Sequence, residues 1–260
     1  MTMSLNNRIV VVTGASSGIG ALSAQMLSER GAVVVLAARS PDKLKQVGSR
    51  MKGPYRLLEM DVGDDVSTRS GFERVLSEYG RVDVLVNNAG YGKFEYFDQM
   101  PLPEFAEMMN VNYIGMVRCA KAVLPYMKSA RSGTIVNVAS LAGKIGTAKS
   151  TAYTATKHAV VGFSSALRQE LRPYGIKVST INPGPIDTPF FDLADPNGDY
   201  VRNVQWFMLK PEKVAKAIVS AAEKGRTEIN LPWIAGVGTK WYQMFPGLAD
   251  RISYRLLNKK

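Results

Sequence analysis

The chain is poor in the residues that build metal sites and disulfides. Its 260 residues include one cysteine, Cys119, and one histidine, His158. A single cysteine excludes an intrachain disulfide and fits a reducing, cytoplasmic setting. One histidine and one cysteine leave little from which to build a zinc site, so no metal is expected. Met1–Asn7 is polar and lacks the charged start and apolar core of a secretory leader. Ile9–Ser28 carries almost no charge, but its glycines and serines make it a strand–turn–helix rather than a membrane span. No internal repeat, low-complexity tract or linker is visible, and residues 1–260 are expected to form a single domain. Acidic residues are also scarce: 22 against 33 Lys and Arg, a net charge of +11. The basic excess is spread along the chain without an aromatic-interleaved cluster, so nucleic acid is not an expected partner. A polyanionic small molecule is a simpler beneficiary of that charge.

What is present is an alternation of short apolar runs with helical stretches. Strands are expected at Arg8–Thr13, Ala32–Ala37, Tyr55–Met60, Val82–Val86, Thr134–Val138, Ile176–Ile181 and Thr227–Leu231. Helices are expected at Gly20–Arg30, Pro41–Met51, Asp64–Tyr79, Tyr113–Ser129, Thr151–Arg172 and Pro211–Lys224. Continuous Val- and Ile-rich strands between helices predict a Rossmann-type doubly wound α/β domain. Its parallel sheet would have about seven strands with helices on both faces. Residues 187–210, rich in proline and aspartate, read as a mobile insertion beside a substrate. Residues 232–260 form a C-terminal extension.

The first strand runs into Thr13-Gly14-Ala15-Ser16-Ser17-Gly18-Ile19-Gly20, which opens a helix. Glycines there allow a tight turn and close approach to a pyrophosphate, and a helix N-terminus offers amides and positive potential. The spacing differs from Gly-x-Gly-x-x-Gly, and a glycine-rich turn without a ligand has the same look. The end of the second strand discriminates better. It reads Leu36-Ala37-Ala38-Arg39-Ser40, with no carboxylate to bind a ribose 2′-hydroxyl or repel a 2′-phosphate. Arg39 offers a charged fork, and Ser40 and Ser16 offer hydroxyls, so NADP(H) is favoured over NAD(H). A solvated cation at a helix entry is the plainer reading of Arg39. Asp61-Val62 and Asn87-Asn88-Ala89-Gly90 stand at the carboxyl ends of the third and fourth strands, where such sheets bind ligands. Both segments also suit ordinary turns.

Tyr153 and Lys157 are four residues apart on a predicted helix and share one face. With 11 tyrosines and 17 lysines in the chain, about one such pair is expected by chance. The pair gains weight from Ser140, which ends an apolar strand thirteen positions earlier. A free tyrosine, with a pKa of about 10, is a poor base at neutral pH, and lowering it by ~3 units requires about 4 kcal/mol. One ammonium ~4 Å away at an effective dielectric of ~20 supplies about that much. Lys157 is therefore expected to depress the Tyr153 pKa, with an oxidised nicotinamide adding more positive charge.

Taken together, the motif of residues 13–20, Asp61, Asn87-Asn-Ala-Gly90, Asn112, Ser140, Tyr153, Lys157 and Pro183-Gly184 resembles the short-chain dehydrogenase/reductase family over nearly the whole chain. The resemblance implies hydride transfer between a nicotinamide and a carbonyl or secondary alcohol. Tyr153 would move the proton, Ser140 would orient the carbonyl, and Lys157 would hold the nicotinamide ribose. Asn112 would position a water leading to Lys157. Pro183, Gly184, the Ile186 amide and Thr188 would line the nicotinamide, and Asp61 would contact adenine. The Ala38-Arg39-Ser40 run is similar to that of NADP-preferring members. A homodimer or homotetramer through the helices at 113–129 and 151–172 is also implied. Two other readings remain: a non-catalytic NADP(H)-binding regulator or scaffold, and an epimerase that retains its cofactor.

Phe190, Phe191, Trp206, Phe207 and Met208 follow the nicotinamide loop and suggest a bulky lipophilic substrate. Packing of the loop onto the domain is the alternative. Leu231–Gly238 and Trp241–Leu248 are aromatic and apolar, and from Lys240 onward there are five basic residues and one acidic. This tail suggests a peripheral contact with an anionic membrane. A subunit interface or a capping segment fits the same composition.

Overall fold

The computed structural model describes residues 3–248 and 251. In chain order it contains β1 (Ile9–Thr13), α1 (Gly18–Ser28), β2 (Val33–Ala38), α2 (Pro41–Gly48), β3 (Tyr55–Glu59), α3 (Asp65–Tyr79) and β4 (Val84–Asn87). Next come α4 (Leu102–Met109), a π-helical turn (Asn110–Ile114), α5 (Gly115–Ser129), β5 (Gly133–Val138), α6 (Thr151–Leu171) and β6 (Ile176–Pro183). The chain continues with α7 (Phe190–Ala194), α8 (Asp199–Val204), α9 (Pro211–Lys224), β7 (Glu228–Leu231) and α10 (Trp233–Met244). Local chemistry sets several of these limits. Asp64 caps α3 by accepting from the Ser67 amide at 2.6 Å, and left-handed Gly80 ends it. Pro211 opens α9 and left-handed Gly225 closes it.

The seven strands form one parallel sheet in the order β3-β2-β1-β4-β5-β6-β7. Alternate residues feed two separate cores, as the period of two requires. Val10, Val12, Val34, Leu36, Val84 and Val86 pack with residues of α1, α2 and α9. Ile9, Val11, Val35, Ala37 and Leu85 pack on the other face with residues of α3, α5 and α6. Connections leave β1 toward β2 and β4 toward β5, in opposite directions. The crevice at the carboxyl ends of β1 and β4 is thus the place where a doubly wound sheet binds ligands.

Three segments depart from the expectations. Residues 187–210 are folded into α7, α8 and a 3₁₀ turn at Gln205–Phe207. They are tied down by Phe94 N–H to Ala194 O at 2.9 Å, Val201 N–H to Asp195 Oδ2 at 2.9 Å, and a short parallel bridge between Ile186 and Leu209. Residues 102–109 form a helix not anticipated from the sequence, and the helix expected from Tyr113 is preceded by the π-helical turn. Residues 233–244 are also helical. The tail expected to contact a membrane extends beyond them, and residues 249–250 and 252–260 lie outside the described residues.

Candidate active site

The glycine turn closes tightly against the end of β4. Gly14 has φ +65°, and a Cβ there would come within 2.9 Å of Ala89 Cα. A Cβ on Gly20 would meet Gly14 O at 2.3 Å. Asn88 holds this arrangement: its side-chain amide donates to Thr13 O at 3.0 Å and to Gly14 O at 3.3 Å. Thr13 Oγ1 in turn accepts from the Asn88 and Ala89 amides at 3.0 and 3.1 Å. The Asn88 side chain, expected to touch a cofactor, is thus engaged in shaping the turn. The first turn of α1 carries no acidic side chain, so its amide end keeps its positive character. A bare-backbone cradle ahead of such a helix end fits a pyrophosphate.

Arg39 follows β2 and is 72% exposed, and its guanidinium reaches Asp61 Oδ2 only at 4.0 Å. Asp61 Oδ1 accepts from the Gly63 amide at 2.8 Å. Val62 is buried behind it, with its carbonyl accepting from Arg118 at 3.1 Å. A cavity of ≈260 Å³ beside the turn is lined by Ser16, Ser17 and Gly18 and by Lys43 and Arg50 of the α2 region. Lys43 and Arg50 were not anticipated. Their spacing of seven, two helical turns, was the available signal.

Pro183 and Gly184 end β6, and the Gly184 amide donates to Leu231 O at 2.7 Å. The bridge to Leu209 uses the N–H groups of Asp187 and Leu209 and leaves the Ile186 N–H outside it. Thr188 lies over the start of α1, where a Cβ on Gly18 would sit 3.7 Å from Thr188 Cβ. The phosphate turn and the 183–188 loop therefore face one another, as the cofactor expectation requires.

Behind them stand the four expected catalytic residues. β5 and α6 are joined by a buried chain in which Asn87 donates to Asn137 Oδ1 and Asn137 donates to Ser164 Oγ, both at 2.9 Å. This fixes α6 relative to the strand that delivers Ser140. Ser140 Oγ accepts from the Ala142 amide at 3.1 Å and donates to Pro183 O at 3.3 Å. Its hydroxyl neighbours the Tyr153 phenol and favours the charged form of that group. Lys157 is 5% exposed; its ammonium donates to Val138 O at 3.0 Å and lies 5.6 Å from the Tyr153 ring centre. Asn112, in the π-helical turn, is fully buried. Its amide donates to Tyr91 O at 2.8 Å and to Thr156 Oγ1 at 3.1 Å, and its oxygen accepts from the Tyr91 amide at 2.9 Å. A Cβ on Gly90 would lie 2.9 Å from Asn112 Oδ1 and 3.8 Å from Lys157 Nζ, so the three groups converge. Single π-helical turns inside helices recur at functional sites.

The electrostatics correct one expectation. Burial pushes the Tyr153 phenol up to about 12, and the neighbouring Ser140 hydroxyl only partly opposes it. Burial brings Lys157 down to about 8. The ammonium is directed at the Val138 carbonyl, and the low-dielectric surroundings disfavour both charges. The protein groups alone therefore keep Tyr153 a phenol at neutral pH.

An aromatic wall surrounds that phenol. Phe190 and Phe94 lie 5.6 and 6.2 Å from the Tyr153 ring, and Tyr200 lies 5.1 Å from Phe94. Phe191 is buried behind them, whereas Trp206 and Phe207 point outward at 85% and 40% exposure. The apolar residues expected of the insertion thus divide between the site and the surface. Residues 8–197 match the family described as short chain dehydrogenase.

The chain belongs to the short-chain dehydrogenase family. Among its relatives, the 3-ketodihydrosphingosine reductase of Bacteroides thetaiotaomicron is 42% identical over 199 residues, covering 74% of this chain and 71% of that one. A short-chain dehydrogenase from Streptomyces avermitilis superposes with TM-score 0.84 at 28% identity, covering 98% of both chains. Levodione reductase superposes with TM-score 0.80 at 26% identity, covering 87% of this chain and 96% of that one. The protein is thus an oxidoreductase of short-chain dehydrogenase type, a family that uses NAD(P)(H). Tyr91, Phe94, Thr156 and Tyr200 were not anticipated in this short-chain dehydrogenase site. Only Thr156 had a sequence signal, since it is the neighbour of Lys157 on the helix that carries the pair. His158, on the other side of that lysine, is exposed, with Nδ1 2.9 Å from Thr154 O.

Proposed function

We propose that this protein reduces a lipophilic ketone to a secondary alcohol with NADPH, Tyr153 donating the proton. The observation that carries this reading is the Tyr153 phenol, held up to about 12, neighbouring Ser140 and walled by aromatic rings. At neutral pH such a phenol carries its proton, the state that a donor to the reduced carbonyl oxygen needs. When bound, the nicotinamide supplies the hydride. Ser140 has one hydroxyl hydrogen, and releasing Pro183 O lets it turn toward a substrate oxygen. That hydrogen bond and the Tyr153 hydroxyl polarise the carbonyl as charge develops on its oxygen. Lys157, still mostly charged below pH 8, supports the phenolate left after transfer and holds the nicotinamide ribose. The Asn112 side chain is engaged with Tyr91 and Thr156, so its part is to hold the main chain of the π-helical turn beside Lys157. Phe94, Phe190 and Tyr200 exclude water from this point.

The cofactor choice rests on charge. The end of β2 has no carboxylate and is followed by Arg39 and Ser40, while Ser16 shares a cavity with Lys43 and Arg50, so hydroxyls and cations are at hand for a 2′-phosphate. Gly14, Ser17, Gly18, Ile19 and Gly20 hold the pyrophosphate, Asp61 and Val62 take the adenine end, and Ala89 and Gly90 run from the glycine turn toward Lys157 along the cofactor. Pro183, Gly184, Ile186 and Thr188 take the nicotinamide end. The aromatic wall favours a bulky apolar ketone, and the named substrate of the Bacteroides relative, 3-ketodihydrosphingosine, is the first to test. The chain is read as a single-domain, cytoplasmic homodimer or homotetramer assembled through α5 and α6.

The test is a ketone panel followed by NADPH and NADH oxidation in parallel, with Tyr153→Phe beside the wild type. Positioned proton transfer is worth about 10²–10⁴-fold, and the variant should lose turnover on that scale while NADPH binding survives. Undiminished turnover in Tyr153→Phe would rule out the assigned role.

A further inference from the structure

The helix α10 is turned inside out. Successive helical residues rotate by about 100°, which places Trp233, Ile234, Val237, Trp241 and Met244 on one stripe. That stripe is the exposed side, with these five residues 72, 64, 59, 42 and 70% accessible. The side against the protein carries small residues, including buried Gly236 and Thr239. Gly236 is pressed on Asn230, so that a Cβ there would lie 2.8 Å from the Asn230 side chain. A helix that serves only its own domain does the reverse, burying its large apolar residues. Phe245 and Leu248, 49 and 53% exposed, extend the apolar surface beyond the helix end. A contiguous surface of this kind marks a partner.

We propose that this face docks on an anionic lipid bilayer. Tryptophans at its start and on its third turn, with the exposed Lys240 at its flank, have the composition of a helix lying in a membrane interface. Charge selects the same occupant. From Lys240 to the C-terminus there are five basic residues and one acidic, in a chain of net charge +11. A net charge of +11 opposes the meeting of two copies, whereas an anionic surface attracts the chain. Among the described residues no helix is long and apolar enough to cross a membrane, so the contact is peripheral.

The position of the helix gives the contact a use. Leu231, two residues before α10, accepts from the Gly184 amide, and Gln243 donates to Lys144 O at 3.5 Å in the turn that follows Ser140. The docking face is thereby fixed to both flanks of the carbonyl-binding end. Capture of a ketone dissolved in the bilayer rests on the proposed reaction; the docking itself does not.

The full-length protein should sediment with vesicles of phosphatidylcholine mixed with phosphatidylglycerol, and less with phosphatidylcholine alone. The double variant Val237→Glu/Met244→Glu should weaken this partition on the order of tenfold, with an unchanged size-exclusion profile and unchanged turnover of a water-soluble ketone. Wild type that stays in the supernatant, or a variant that binds as well as wild type, overturns the proposal. A variant that dissociates into smaller assemblies also overturns it, by assigning the face to a second copy. Vesicle binding without turnover of any ketone sustains the docking and removes only the proposed reaction.

Discussion

Two cations of the proposed site are held in opposite ways. Arg39 is 72% exposed, with a carboxylate only at 4.0 Å. Lys157 is 5% exposed and fixed to a main-chain carbonyl at 3.0 Å. The exposed guanidinium is free to turn toward an incoming anion. The buried ammonium is brought down to about 8, so its charge is conditional on pH. The first arrangement suits recognition of a phosphate, and the second suits proton handling. Each cation should therefore fail in its own way when removed.

The largest effect is expected at the buried one. Lys157→Met removes the charge that supports the Tyr153 phenolate, and kcat should fall about 10²–10⁴-fold. Stability at neutral pH should fall little or even rise, because a costly buried charge is gone. A steady-state assay beside a denaturant titration separates the two outcomes. Wild-type-like kcat would place Lys157 in structure alone.

The pH dependence sharpens the same point. The folded-state pKa of Lys157 is about 8, below the ordinary 10.5. Between these values the unfolded chain binds more protons than the folded one, so the lysine adds stability as pH rises through this window. Wild type minus Lys157→Met should therefore shift in favour of wild type by on the order of 3 kcal/mol between the two pH values. Reduction should run the other way, its rate falling as pH rises through about 8 and the ammonium is lost. A stability difference that is flat across this window would mean that Lys157 is not desolvated as its burial indicates.

The contrast between the two cations also marks what was legible in the sequence. The glycine turn, Arg39 after the second strand and the Tyr153–Lys157 spacing are local patterns, and the fold sets them after β1, after β2 and on α6. The alternating apolar runs likewise gave seven parallel strands, because a strand buried on both faces has a plain signature. The Lys157 partner, Val138 O, lies 19 residues away and is a backbone atom, so no side-chain motif announces it. The predicted fall in the Tyr153 pKa failed for that reason: the distance argument assumed an ammonium aimed at the phenol and omitted burial. The aromatic wall draws on residues 94, 190 and 200, which only tertiary structure brings together. Residues 187–210 looked like loop because proline and aspartate are frequent there. Yet Asp195 accepts from the Val201 amide and helps to order α8. In α10 the composition was readable, but which side faces outward was not, since periodicity defines a stripe and not its direction.

A smaller effect is expected at the exposed cation, and it should be confined to one cofactor. Arg39→Ala removes a charged hydrogen-bonding fork worth about 1.5–3 kcal/mol, so NADPH affinity should fall by roughly ten- to a hundredfold. NADH, which lacks the 2′-phosphate, should bind nearly as before. The NADPH loss should shrink as salt is raised, because an exposed charge is screened where a buried one is not. Folding stability should change by less than about 0.5 kcal/mol, since the 4.0 Å contact with Asp61 is exposed on both sides. Titrations of both nucleotides at two ionic strengths test all of this at once. If the preference for NADPH survives in Arg39→Ala, Lys43 and Arg50 beside Ser16 are the next cations to remove. If NADPH and NADH weaken together, Arg39 acts by shaping the crevice rather than by charge, and its contrast with Lys157 disappears.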